Sequence, residues 1–189
     1  FSINQMKSPF KDKIVADAGD IACNPFNIHQ SINHITKELN SLMMIANNIV
    51  VLGGDHTISY PILKSINKKF GKVALLHFDS HFDTWDEYFC EKCTHGTPFK
   101  RALDEDLIDV DHSMHVGIHG TINDYTDITN DEKLGFKTIF TNEFDTLGLF
   151  GVIDKIVSRI GDTPCYISID IDCVDPAYAP GTGTPEPGG

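Results

Sequence analysis

Apolar residues in this chain fall into short unbroken runs separated by amphipathic stretches. The runs Ile49–Leu52, Val73–Phe78, Met114–Ile118, Lys137–Phe140 and Cys165–Ile169, with a shorter one at Ile14–Ala16, read as strands. Near-continuous apolarity predicts strands covered on both faces. Between them, Ser31–Asn47 places Ile32, Ile35, Leu39, Leu42, Met43 and Ala46 on one helical face. A helix over Tyr60–Phe70 has Pro61 in its first turn and Gly71 as its stop. Thr97–Leu107 reads as a helix with Thr97 as N-cap and Pro98 at its first position. Phe150–Ile160 is a fourth helix, with Val152, Ile153, Ile156, Val157 and Ile160 on one side and Gly161 after it. Pro176, Pro180, Pro185 and Pro187 with their glycines make the last stretch a loop. Strands alternating with helices predict an α/β fold with a mainly parallel sheet.

Three of the apolar runs lead into metal-type ligands. Ile49–Leu52 is followed by Gly53-Gly54-Asp55-His56, Val73–Leu76 by His77-Phe78-Asp79-Ser80-His81-Phe82-Asp83, and Cys165–Ile169 by Asp170-Ile171-Asp172. In parallel sheets, ligands bind beyond the carboxyl ends of the strands. Alternate residues in extended backbone share a face, so Asp79, His81 and Asp83 are expected to point into one cavity, as are Asp170 and Asp172. Carboxylates gathered in this way repel one another and raise each other's pKa. Two divalent cations remove that conflict. Oxygen and imidazole ligands without thiolate favour Mn2+, ahead of Mg2+, Zn2+ or Co2+. A water shared by two such ions loses a proton near neutral pH, which points to hydrolysis. His77 shares the face of Asp79 but lies deeper, as a packed, hydrogen-bonded neighbour. His95 lies in a loop before a helix, and a histidine in a loop near a metal site can shuttle protons.

The formal charge of -12 argues against a nucleic-acid partner and suits bound cations or a cationic ligand. No run is long and apolar enough to span a bilayer. The five cysteines, Cys23, Cys90, Cys93, Cys165 and Cys173, are an odd number in a chain that is not disulfide-dense, so reduced thiols in a cytoplasmic or mitochondrial compartment are expected. A single Cys90-x-x-Cys93 pair is read as a loop with free thiols rather than a zinc site.

The segments Leu52-Gly-Gly-Asp-His-Thr-Ile-Ser59, Leu75-Leu-His-Phe-Asp-Ser-His-Phe-Asp83 and Ser168-Ile-Asp-Ile-Asp-Cys-Val-Asp-Pro-Ala-Tyr-Ala-Pro-Gly181 together resemble the three signatures of the ureohydrolase family, which includes arginase and agmatinase. The resemblance implies a three-layer α/β/α fold and two Mn2+ ions per subunit. It also implies hydrolysis of a guanidinium group to urea and an amine, and a homotrimer or homohexamer. It makes His56, Asp79, His81, Asp83, Asp170 and Asp172 the metal ligands, with Asp79 and Asp170 bridging. His95 resembles the family's proton-shuttling histidine.

Arginases of this family carry Ser-Gly-Asn before that His-Gly. Here Phe89-Cys-Glu-Lys-Cys-Thr94 stands in its place, which argues against arginine as substrate. The Gly-Thr-Pro-Glu-Pro-Gly-Gly stretch resembles the agmatinase branch, with its role in polyamine metabolism, and the related guanidinobutyrase, guanidinopropionase and proclavaminate amidinohydrolase. The expected partner is therefore a small cationic guanidino compound such as agmatine. Val116-Gly-Ile-His119 has His where relatives usually have Arg. The family's guanidinium-pairing glutamate is expected beyond Gly189. Residues 1–189 thus read as one ureohydrolase domain, arginase-like and incomplete at both ends. Two other classes compete: a zinc deacetylase of acetylated amines, disfavoured by the six-residue ligand set, and a non-catalytic family relative, disfavoured by the intact ligands.

Overall fold

A computed structural model describes residues 2, 3, 6–8, 10, 11 and 13–189. Four strands form one parallel sheet: β1 (Ala74–Phe78), β2 (Met114–Ile118), β3 (Lys137–Phe140) and β4 (Cys165–Ile169), in the order β3-β2-β1-β4. Five helices connect and cover them: α1 (Ile28–Leu42), α2 (Ser59–Phe70), α3 (Pro98–Asp104), α4 (Thr126–Leu134) and α5 (Phe144–Ile160). The α/β expectation holds.

The layering follows from the two-residue period of β1. Leu75 packs on one side with Ile32 of α1, Tyr60 and Leu63 of α2, and Phe99 and Ala102 of α3. Its neighbours Ala74 and Leu76 pack on the other side with Met114, Val116, Ile139 and, from α5, Val152 and Ile160. Successive side chains of a strand point to opposite faces, so one strand nucleates both cores and helices flank the sheet on both sides. A third cluster, Ile35 and Leu39 against Ile62, holds α1 on the outside of α2.

Several boundaries move. The first helix begins at Ile28, where the Asn27 side chain accepts the Gln30 amide as an N-cap, and it ends at Leu42. Helix α5 starts six residues earlier than periodicity suggests, and Gly148 (φ 62°) breaks its backbone near the start. Thr97 occupies the N-cap position of α3, as expected, but its side chain makes no capping hydrogen bond. Its hydroxyl donates instead to Lys92 O and accepts from the Thr94 amide, which closes the loop that carries His95. Helix α4 escapes a pattern search because its segment is almost wholly polar and buries Asp131 rather than an apolar stripe.

Two expected strands do not form. Ile14–Ala16 and Ile49–Leu52 are irregular, and Val50 and Leu52 are 87% and 92% exposed. A strand needs a neighbour for its backbone donors and acceptors. Strand β4 is hydrogen-bonded to β1 on one side only, and its open side shares a cavity of ≈ 1320 Å³ with residues 49–54. Ile167 and Ile169 of β4, on the same sheet face as Leu76 and Phe78, are exposed, so the expectation that every strand is covered on both faces fails on that face of β4.

Phe99 is fully buried and meets the rings of His77 and His56 at 4.5 and 5.3 Å between centroids. Replacing it by alanine removes a large core side chain and leaves a void. Phe99→Ala is expected to lower stability by about 3–5 kcal/mol in denaturant unfolding. A loss under about 1 kcal/mol would mean that the core collapses around the gap.

Candidate metal centre

The register of the sheet brings two of the three ligand clusters together. Phe78 of β1 pairs with Ile169 of β4, and Asp170 N donates to Phe78 O at 2.9 Å. Asp79 and Asp170 therefore leave adjacent strands at the same level. His56 comes from a short 3₁₀ turn, His56–Ile58, just before α2, with Asp55 as its N-cap.

The side chains converge, although not through extended backbone. Strand β1 ends at Phe78, and Asp83 lies in the left-handed region (φ 55°), which Asp tolerates better than most residues. Asp170 caps the 3₁₀ turn Ile171–Cys173 and accepts the Asp172 amide. Turns, rather than strand alternation, set the spacing within each cluster.

His56 Nδ1 lies 2.7 Å from Asp83 Oδ2, 3.2 Å from Asp79 Oδ2 and 3.5 Å from Asp170 Oδ2. His81 Nδ1 lies 3.1 Å from Asp172 Oδ2 and 3.4 Å from Asp79 Oδ1. Asp79 thus offers one oxygen to each histidine, and Asp170 approaches on the His56 side. Six side chains make two neighbouring constellations of one imidazole nitrogen and several carboxylate oxygens. This donor set suits divalent ions. His56 Nδ1 supports the fit: it is buried among three carboxylates yet makes no well-aligned hydrogen bond. Asp79, His81 and Asp172 could hold one ion between them. His95 is half-buried, packs edge-on to Tyr88 and lines the same cavity as the six.

Supporting residues surround these groups. His77 is fully buried between Asp79 Oδ2 (2.8 Å) and His115 Nδ1 (2.7 Å), as its depth in the strand suggests. His56 Nε2 meets the Ser168 hydroxyl at 2.8 Å. Asp172 accepts from Ser80 Oγ at 2.7 Å and from Thr184 Oγ1 at 2.8 Å. Ser168 was visible in the sequence as the residue two before Asp170. Thr184 lies in the Gly-Pro-rich stretch, where no periodicity marks a role. Cys90 and Cys93 are free thiols, as expected.

Electrostatics match a place built for cations. Burial alone would push the His56 pKa down, but the close Asp79 and Asp83 carboxylates outweigh it and push it up to about 10. His81, opposed by burial in the same way, is pushed up to about 11 by Asp172 and Asp79. Burial pushes Asp83 up to about 6, with Asp79 adding to the rise and His56 opposing it. Burial and then Asp79 raise Asp170. Asp79 moves the other way: burial would raise it, but His77, His56 and His81 hold it well below the carboxylate range.

The whole length, residues 1–189, matches the model of the arginase family. The chain belongs to the arginase family. It is 42% identical over 96% of its length to guanidinobutyrase of Pseudomonas aeruginosa, covering 57% of that protein. It is 40% identical to mitochondrial agmatinase of Gallus gallus, over 95% of this chain and 53% of that one. Proclavaminate amidinohydrolase of Streptomyces clavuligerus superposes with a TM-score of 0.84 at 37% identity, over 92% of this chain and 57% of that structure. The chain spans about half the length of the curated relatives it matches.

Without metal, protons on His56 and His81 balance part of the carboxylate charge. Each imidazole binds its proton more tightly in the folded chain than in the unfolded one. That stabilisation is fully present below about pH 6.5 and is lost as pH rises through about 10 and 11. Ligation needs neutral imidazole, so ion binding must release these protons. Calorimetric titration with Mn2+ at pH 7.5 in buffers of different ionisation enthalpy should show release of about two protons per loaded chain, with affinity rising toward alkaline pH. A pH-independent affinity would count against imidazole ligation.

Proposed function

We propose that the complete protein is a manganese-dependent ureohydrolase, with agmatine or a similar guanidino compound other than arginine as its substrate. The observation that carries this reading is the convergence of His56, Asp79, His81, Asp83, Asp170 and Asp172, with Asp79 offering one oxygen to each histidine. Membership of the arginase family and relatives named agmatinase and guanidinobutyrase support the reaction class. Two Mn2+ ions held by these six residues would supply Lewis acidity and an activated water.

The chain's own residues supply the rest. Asp79, with one oxygen toward each histidine, fixes the distance between the two constellations. His95, on the cavity wall with Trp85 and Tyr88, is placed to pass a proton between solvent and the leaving amine. Among the Asp, Glu, Lys and Arg side chains that line the cavity, the acidic ones predominate. Among its described lining residues Lys69 is the only Lys or Arg, and its ammonium donates to the backbone oxygens of Met43 and Ala46. Among the described lining residues no Lys or Arg is therefore free to hold a substrate carboxylate, whereas Asp55 faces the same space. This balance favours agmatine, whose far end is an ammonium, over guanidino acids.

A homotrimer or homohexamer and a cytoplasmic or mitochondrial location complete the proposal. The support is the family, the mitochondrial naming of the Gallus gallus relative and five free cysteines. No described helix is long and apolar enough to cross a membrane.

The deciding test is urea release by the Mn2+-loaded full-length protein from agmatine, 4-guanidinobutyrate, 3-guanidinopropionate and arginine. Turnover of agmatine, with arginine inert, is the expected outcome. Urea from a guanidino acid but not from agmatine would move the assignment along the family, and no urea from any of the four with metal bound would refute the reading. Asp79→Asn removes the charge shared by both ion positions and is expected to lower kcat at least about 100-fold, scored in the same assay.

A further inference from the structure

We propose that Glu186 is a positioning residue for His81, holding its imidazole so that Nδ1 faces the metal centre. The inference rests on the metal-centre reading above and names what orients one of its two histidines.

His81 directs Nδ1 at Asp79 and Asp172, so Nε2 points out of the cluster. On that outer side Glu186 Oε1 stands 3.5 Å from Nε2. The carboxylate is itself fixed. The same Oε1 accepts from the Thr121 amide at 3.1 Å and from the Thr121 hydroxyl at 2.9 Å. The Glu186 carbonyl oxygen lies 3.3 Å from His119 Nε2, and His119 Nδ1 lies 2.6 Å from Gly117 O; a neutral ring donates to one of these two oxygens.

The turn carrying Thr121 is pressed against the ring it serves. A Cβ on Gly120 would fall 2.8 Å from His81 Cδ2 and 2.9 Å from His81 Nε2. Gly120 N also donates to Ser80 O at 2.7 Å. Backbone on one side and a gripped carboxylate at the ring's far nitrogen leave His81 one orientation. A metal-ligating histidine is commonly oriented by a carboxylate or other acceptor on its second nitrogen, which also makes it a stronger ligand. His56 has the same arrangement, with the Ser168 hydroxyl at its Nε2. The two ion positions therefore differ in kind: one histidine is backed by a neutral hydroxyl and the other by a carboxylate.

The test is a Mn2+ titration of the purified protein, with free Mn2+ followed by its EPR signal and folding checked by thermal melting. Wild type is expected to take up two ions. Glu186→Ala should weaken one of the two about 10–100-fold and leave the other unchanged. Glu186→Gln, which keeps an acceptor oxygen but not the charge, should fall between them. Glu186 lies outside every helix and strand, which favours folding of both variants. Wild-type isotherms in both variants would overturn the proposal. So would normal Mn2+ uptake by Glu186→Ala with only a raised KM, because that pattern means a direct substrate contact. A wild-type protein that takes up no Mn2+ would instead fail the metal-centre reading itself.

Discussion

The structure turns on a concentration of negative charge where β1 and β4 end. Asp79, Asp83, Asp170 and Asp172 are packed around two histidines with little water to screen them. No arrangement of carboxylates alone is stable in such a place. The chain answers with protons on His56 and His81, with the His77 ring against Asp79, and with hydroxyls from Ser80 and Thr184 on Asp172. Each of these gives partial relief, and divalent ions would complete it. The sheet register, the 3₁₀ turns and the buried Phe99 all serve to keep these groups in place.

Much of this was legible in the sequence. The five main apolar runs and the ligand clusters that follow three of them gave the α/β class and the six convergent residues. Strands Met114–Ile118, Lys137–Phe140 and Cys165–Ile169 have the bounds that pattern alone predicts. Local pattern could not show how the clusters converge. Two-residue spacing suggested extended backbone, while the structure uses turns, including a left-handed Asp83. The outer partners were hidden for another reason. Thr121 and Glu186 touch the site from loops, so no local periodicity points to them.

The failure of Ile49–Leu52 to form a strand has a different origin. Its composition is right, but strand formation depends on a neighbour, and the open side of β4 is separated from it by a cavity. Apolar runs report an inclination to pair; they do not report whether a partner is at hand. The same cavity reaches the proposed metal ligands, so its volume measures the open sheet edge together with the space around the site. Anything that packs along that edge would also shape one wall of the site.

His56 and Ser168 are hydrogen-bonded across 112 residues of chain, and the proposed ligands span a similar interval. Ions held between His56, the end of β1 and the end of β4 would tie together parts of the polypeptide that have no covalent reason to stay close. In that respect they act as a removable cross-link. They would close long loops in the folded chain, and their binding energy would become folding energy. The metal supply would then govern both the chemistry and how much of the protein is folded.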